Sequence, residues 1–549
     1  MQQTCAHPQA VQVAPLDGGD RLGALSALAD IGDPSAFAAE SIRVATELAR
    51  VALGTSDVEP SPRDKRFSDP AWSENPLYRR WAQAYLVWAA GVQRLATRPR
   101  DDWRRESRAQ SAATKIVDAA APSNLLVGNP AALKRAFDTG GASLVRGWRN
   151  AARDLLRHGG MPEQVDRRPF TVGENLAATP GAVVHREEMF ELLEYRPVTA
   201  TVRERPLLMI PPQVNKHYFL DLAPGRSMTE YMVSRGIRYF TLVWRNPRRE
   251  HGHWGIDDHV SAQLRAMDVV RQIAGSDSIH LLGACAGGLT GALMLGHLAA
   301  RGEDDAVRTA TFAISMIDSR LPNPLSAIAT DRTLRSIATD AEKGVVYDAD
   351  RIARAFAWMR PNDLVYSYVV NNWLLGEDPP AFDILAWNND GANLASAFYS
   401  DMLELYANNT AASPGGLEVL GERIDLGKVQ CDSFIIAGMN DHITPWGPGY
   451  MTSRLLGGET EVVVTTTGHI QTMVNPPGKP RARYFAGSAD GADPEAWRAQ
   501  AEEHEGSWWP RYADWLLARS GPEREAPAEP GSPRHRPLGP APGIYVLEE

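Results

Sequence analysis

Ser278-Ile-His-Leu-Leu-Gly-Ala-Cys-Ala-Gly-Gly-Leu-Thr290 is the stretch whose reading decides the fold. It begins as an apolar, strand-like run through Ile279, Leu281 and Leu282, turns through Gly283-Ala284-Cys285-Ala286-Gly287, and leaves through Gly288 and Leu289 into a helical pattern. A strand, a sharp turn and a helix with a nucleophilic residue at the apex form the plan of a nucleophile elbow, here with cysteine where serine usually stands. The flanking glycines answer a steric need, because a side chain at those points would strike the neighbouring strand or helix. Taken alone the pattern leaves two readings open, since a buried cysteine is often only a small hydrophobe.

Outward from the elbow, Met189–Arg196, Pro206–Pro211, Ile237–Trp244, Val307–Ile317, Cys431–Gly438 and Glu461–Thr466 read as further strands separated by helical stretches. Near-continuous apolar strands alternating with helices predict a largely parallel sheet covered on both faces. The rhythm breaks over about 321–428, an aromatic-rich insertion on the side of the nucleophile and therefore the expected cap or lid. Before Arg186 the pattern is helical, at Ala36–Leu53, Leu77–Leu95, Asn129–Asp138 and Gly141–His158. In the second of these, Trp81, Tyr85, Trp88, Val92 and Leu95 recur at helical spacing. Such a stripe predicts packing in a helical domain or against a dimer partner, with a lipid-like surface as the alternative. The expected organisation is a mostly helical N-terminal domain over 1–185 and an α/β-hydrolase domain over 186–549. The Gly/Pro-punctuated start of the chain reads as poorly ordered, and the Pro/Gly-rich stretch over about 521–549 as an extended tail.

Bulk properties exclude several classes. At 549 residues the chain allows two to four domains of about 150 residues each, and 44% hydrophobic with 23% charged residues is ordinary for a globular protein. A net charge of -10, without a basic patch interleaved with aromatics, argues against a nucleic-acid binder. Cys5, Cys285 and Cys431 are too few and scattered for a disulfide framework or a thiolate metal site, which suits a reducing cytoplasm. The N-terminus lacks the basic start and apolar block of a signal peptide. Leu281–Ala300 has no Asp, Glu, Lys or Arg, but its glycines, Thr290 and His297 favour a buried strand-turn-helix over a membrane span.

A thiol on an elbow needs a base, and the base needs a third group to orient it. In α/β-hydrolase architecture these follow the nucleophile in the order acid, then histidine, on loops at the ends of later strands. After the strand ending at Gly438 comes Met439-Asn-Asp-His-Ile-Thr-Pro-Trp446, and after Val462–Thr466 comes Thr467-Gly-His-Ile470. Asp441 and His469 therefore stand in the places of acid and base, with His442 a rival for the base. The oxyanion hole is expected from the backbone N–H of Ala286 and from one in the loop Pro211-Pro-Gln-Val-Asn-Lys216, with Val214 the candidate. No metal-ligand spacing, phosphate loop or dinucleotide fingerprint is present in the sequence, so neither cofactor nor metal is expected.

Several blocks together resemble the polyhydroxyalkanoate synthases, in particular the single-subunit class II type. They include Asn75-Pro-Leu-Tyr-Arg-Arg-Trp81, Asn175-Leu-Ala-Ala-Thr-Pro-Gly181, Pro211-Pro-Gln-Val-Asn-Lys216, Trp244-Arg-Asn-Pro247, Gly283-Ala-Cys-Ala-Gly-Gly288, Asn371-Asn-Trp-Leu-Leu-Gly376, Asp441-His-Ile443 and Gly468-His-Ile470. Trp373, where tyrosine is expected, and alanine at both variable positions of the elbow are departures. The resemblance implies that Cys285 accepts the acyl group of an (R)-3-hydroxyacyl-coenzyme A, of medium chain length in the class II type, and releases coenzyme A. It also implies that His469 deprotonates Cys285 and that Asp441 orients His469 or helps activate the next hydroxyl. A homodimer in the cytoplasm, working on a growing polyester at the surface of storage granules, is the implied setting. A thioesterase or polyester hydrolase with the same triad is the alternative, and a granule-binding protein without catalysis a third reading.

Overall fold

The computed structural model describes residues 34–479, 481–489, 491 and 493–549. The expectations for the start of the chain, a poorly ordered segment without a signal peptide, fall outside the described residues. Two compact units emerge among the described residues, one formed by residues 34–167 together with Ala353–Phe382, the other by Arg168–Ile352 with Asp383–Glu549.

The first unit is helical, with α1 Pro34–Leu53, α2 Pro76–Ala96, α3 Trp103–Ala119, α4 Pro130–Asp138 and α5 Ala142–Arg157. Helix α2 starts where Asn75 Oδ1 accepts from Leu77 N at 2.9 Å and Pro76 supplies a first residue with no N–H to satisfy. Its apolar stripe is satisfied inside the unit: Tyr85, Ala82 and Ala89 form a core with Phe67, Trp72 and Val117, while Trp88 and Val92 pack against it half-buried. Phe67 and Trp72 meet edge to face with ring centroids 4.9 Å apart. Trp72 is 3% exposed, so Trp72→Ala should lower the stability of this unit by about 3–5 kcal/mol through lost burial and the cavity left behind. Denaturant unfolding of the full chain would register this as an earlier first transition, with the second unchanged.

The second unit is built on an eleven-stranded sheet. Its strands are β1 Gly181–Arg186, β2 Phe190–Tyr195, β3 Leu207–Ile210, β4 Tyr239–Trp244, β5 Ile279–Ala284, β6 Val307–Ala313, β7 Asp432–Gly438, β8 Thr460–Thr465, β9 Arg483–Ser488, β10 Glu502–Glu505 and β11 Gly539–Pro540. Their spatial order is β10-β9-β8-β7-β6-β5-β3-β4-β2-β1-β11. The run from β4 to β8 is parallel, and both flanks are antiparallel. Strands β3 and β5 are buried at every position, which is why they read as unbroken apolar runs. Helices α6 Ile256–Ala274 and α7 Ala286–Arg301 follow β4 and β5 in the chain. Among the described residues no helix is long and apolar enough to cross a membrane.

Three expected boundaries move. The helical unit ends at Arg167 rather than at 185, because β1 lies before that point and pairs with β2 and β11. Within the expected insertion at 321–428, Ala353–Phe382 groups with the helical unit: Asn150 Nδ2 donates to Asn372 O at 3.1 Å, and Trp373 Nε1 to Asp154 Oδ2 at 2.8 Å. The C-terminal tail is not free either. Glu523–Glu525 pairs with Thr201–Arg203, β11 pairs with β1, and the N–H groups of Ile544 and Tyr545 both donate to Glu191 Oε2 at 2.9 Å. Its Pro and Gly content disfavours a long helix but leaves edge pairing open, and the buried carboxylate of Glu191 requires donors.

Candidate active site

Cys285 sits between β5 and α7 with φ 51° and ψ -122°, a left-handed φ that residues with a side chain rarely adopt. The turn holds because its neighbours are small. A Cβ on Gly287 would lie 2.3 Å from Ile210 O and 2.6 Å from Pro211 O, and one on Gly283 would lie 2.6 Å from the Cα of Gly288. Backbone cannot yield at these distances, so Gly287→Ala should displace the elbow from β3. Expression as insoluble chain, or a thermal midpoint lowered by at least several degrees with thiol-transfer activity lost, is the expected result.

Hydrogen bonds fix the elbow from the far side. Cys285 N donates to Ala313 O at 2.9 Å, and Ser315 Oγ lies 2.9 Å from both Cys285 O and Ala313 O. Between them Ile314 adopts φ 45°, a genuine outlier for a β-branched side chain, and its N–H donates to Ile436 O at 2.6 Å in β7. One strained segment at the end of β6 therefore joins the nucleophile's strand to the strand that carries the acid.

Asp441 follows β7, its side chain fully buried. Its Oδ1 accepts from Ile443 N at 2.8 Å and Thr444 N at 2.9 Å, and its Oδ2 accepts from His469 Nδ1 at 2.6 Å. His469 opens the short helix His469–Met473 after β8. Thr444 Oγ1 stands 2.9 Å from Asp441 Oδ2, 2.9 Å from Ile314 O and 3.2 Å from His469 Nδ1, bracing acid and base against the strained segment. Burial alone would lower the His469 pKa, but the Asp441 carboxylate outweighs it, and Cys285 adds to the effect through a side-chain hydrogen bond, so the value rises to about 10. Burial alone would raise Asp441; the charge and hydrogen bond of His469, with the two backbone N–H groups, hold it below the ordinary carboxylate range. Tyr406 is also close, its buried phenol pushed upward by burial first and by the Cys285 charge second.

The structure thus brings Cys285, Asp441 and His469 together, and it is His469 rather than His442 that meets the Asp441 carboxylate. Ala286 is the first residue of α7, where backbone N–H groups have no partner within the helix. Val214 lies half-buried in the turn after β3. That turn is tied down on two sides: Gln213 Nε2 donates to Thr290 Oγ1 of α7 at 3.1 Å, and Lys216 Nζ pairs with Asp390 at 2.9 Å. Sequence reasoning missed Ile314, Ser315 and Thr444. Thr444 carried a signal, since an Asp followed by Thr three residues on is a local side-chain-to-backbone pattern. Ser315 and Ile314 carried none. Of groups that could ligate a metal, Asp154, His158 and Glu163 come within reach of one another in the helical unit, where Arg153 already pairs with Glu163 at 2.8 Å.

Comparison with known proteins shows the fold and the family. Residues 63–232 match the family described as the N-terminus of poly-beta-hydroxybutyrate polymerase (PhaC), and residues 224–476 match the alpha/beta hydrolase fold. The chain is 47% identical over 501 residues to poly(3-hydroxyalkanoate) polymerase 2 of Ectopseudomonas oleovorans, covering 91% of this chain and 89% of that one. To polymerase 1 of the same organism it is 43% identical, covering 91% and 89%. To the poly(3-hydroxyalkanoate) polymerase subunit PhaC of Cupriavidus necator it is 38% identical over 503 residues, covering 90% and 85%. With an α/β-hydrolase sheet, a cysteine elbow and relatives of this similarity along nearly its whole length, the chain belongs to the poly(3-hydroxyalkanoate) polymerase family.

Proposed function

We propose that this chain polymerises (R)-3-hydroxyacyl groups from coenzyme A thioesters, with Cys285 as nucleophile, His469 as acid and base, and Asp441 as the group that orients His469. The observation that carries the reading is His469, hydrogen-bonded to Asp441 at 2.6 Å and near enough to the strained Cys285 for that thiol to help raise its pKa. Cys285 Sγ, having given its proton to His469, attacks the thioester carbonyl carbon. The C–S bond to coenzyme A then breaks, and the leaving sulfur takes the proton from His469. With its pKa raised to about 10, His469 holds that proton near neutral pH. Exchange between two thioesters is nearly balanced because the attacking and leaving atoms are both sulfur. In the second half the 3-hydroxyl oxygen of another monomer attacks the acyl carbon, His469 takes the hydroxyl proton, and the Cys285 thiolate departs. Backbone N–H groups of Ala286 and Val214 are the proposed stabilisers of the carbonyl oxygen as it gains charge.

Both oxygens of Asp441 are already engaged, which favours orienting His469 over direct activation of the monomer hydroxyl. Medium-chain monomers are the proposed substrates, and a cytoplasmic homodimer on the surface of a polyester granule the proposed setting. The steps use only this chain's own side chains and backbone, the hydroxyl of the next monomer, and coenzyme A as leaving group. Purified enzyme supplied with 3-hydroxydecanoyl- and 3-hydroxybutyryl-coenzyme A should release thiol faster from the first and form chloroform-soluble polymer. Free 3-hydroxy acid without polymer would make the chain a thioesterase, and no thiol release from either would sink the proposal.

A further inference from the structure

Helix α5 is turned the wrong way round for water. Its buried face carries Ser143, Gly147, Asn150 and Asp154, whereas Val145, Trp148, Leu155 and Leu156 point outward at 72%, 77%, 69% and 84% exposure. Packing accounts for the inner face. A Cβ on Gly147 would lie 1.9 Å from Trp373 O, Asn150 Nδ2 donates to the carbonyls of Asn372 and Glu377 at 3.1 Å each, and Asp154 accepts from Trp373 Nε1. Contact this close with backbone requires small and polar groups. Among the described residues no such packing accounts for the outer face, whose four side chains fall in one stripe at helical spacing. Helix α4, in contact with α5, exposes Phe137 at 88%. An apolar stripe left in water beside polar groups marks an interaction surface.

Charge identifies the partner. In a chain of net charge -10, the stretch 130–158 carries Lys134, Arg135, Arg146, Arg149, Arg153 and Arg157 against only Asp138 and Asp154. Arg135, Arg149 and Arg157 are exposed, and among the described residues their side chains have no hydrogen-bond or ion-pair partner. A second copy of the same face would set arginine against arginine. An anionic headgroup layer over an apolar interior complements both features at once. We propose that α5, with α4 beside it, docks on an anionic phospholipid surface, its apolar stripe entering the acyl boundary and its arginines meeting the phosphates. The inference rests on this face alone and is independent of the acyl chemistry.

Flotation of the full-length protein with vesicles tests it. Vesicles of equal parts phosphatidylglycerol and phosphatidylcholine should carry the protein, less so at high salt. The double substitution Trp148→Glu with Leu156→Glu should weaken binding by at least about tenfold while leaving the thermal midpoint unchanged, because both side chains are exposed. Arg149→Gln with Arg157→Gln should weaken it about tenfold or more on these vesicles and little on pure phosphatidylcholine. The proposal is overturned if the wild type does not float or if either double variant floats as well. It is likewise overturned if the glutamate variant halves the molecular mass without vesicles, which would make the face a self-association surface.

Discussion

Cys285→Ala should abolish coenzyme A release from hydroxyacyl-coenzyme A, lowering the rate by at least about a thousandfold, because among the described residues no other cysteine sits at the elbow to form the thioester. Thiol release followed with a chromogenic disulfide is the measurement, alongside mass spectrometry of the intact chain. The wild type should gain the mass of an acyl group and the variant should not. A variant that retains a tenth of the wild-type rate would remove Cys285 from the mechanism. Folding is a separate question, and a second substitution isolates it. Cys285 holds φ 51°, a conformation that costs a residue with a side chain about 1–3 kcal/mol and glycine almost nothing. Cys285→Gly should therefore be inactive yet melt above Cys285→Ala. If alanine proved the more stable of the two, the backbone at the elbow would be unstrained.

Asp441→Asn should reduce the same rate by about a hundredfold to ten-thousandfold while leaving the sheet intact. An amide can still hydrogen-bond His469 Nδ1, but by donating to it, which reverses the tautomer and removes the charge that holds a proton on the ring. The pKa of His469, about 10 in the wild type, should fall toward or below its ordinary value, because burial would then act unopposed. The sign of the stability effect follows. A histidine whose folded pKa is raised contributes stability that is fully present below its unfolded pKa, about 6.5, and is lost as the pH rises through about 10. The depressed Asp441 contributes above its unfolded pKa, about 3.9, and loses that contribution as the pH falls through its lower folded value. The wild type should exceed Asp441→Asn in stability most between about pH 4 and 6.5, with the gap closing toward pH 10. A gap that stayed constant across that range would show that the pair is not charged in the folded protein.

The elbow was legible because its pattern of small residues is contiguous in the chain, although only Gly283 is demanded by the turn itself; Gly287 is demanded by the strand end at Ile210 and Pro211, and Gly288 by Ser315. The order cysteine, aspartate, histidine was legible because each sits at the end of an apolar run, and a parallel sheet gathers such ends on one side. The support of those residues was not. Ser315 and Ile314 act through bonds to Cys285 O and Ile436 O, across long separations in the chain, and no spacing rule reaches them; Thr444 is legible as a turn partner of Asp441 but not as a partner of Ile314 O. The C-terminal stretch misled in the opposite sense, since composition reports which structures are disfavoured and not which edge is free to pair.

The sequence by itself determined the class of the protein. It placed a cysteine on a strand-to-helix turn, an acid and a base on later strand ends, and helical periodicity over residues 141–158. Tertiary structure alone decided which face of that last helix meets water. Periodicity records that a helix has two faces, but burial depends on the neighbour, and close packing against the Trp373 backbone admits glycine and hydrogen-bonding side chains where leucine and tryptophan would not fit.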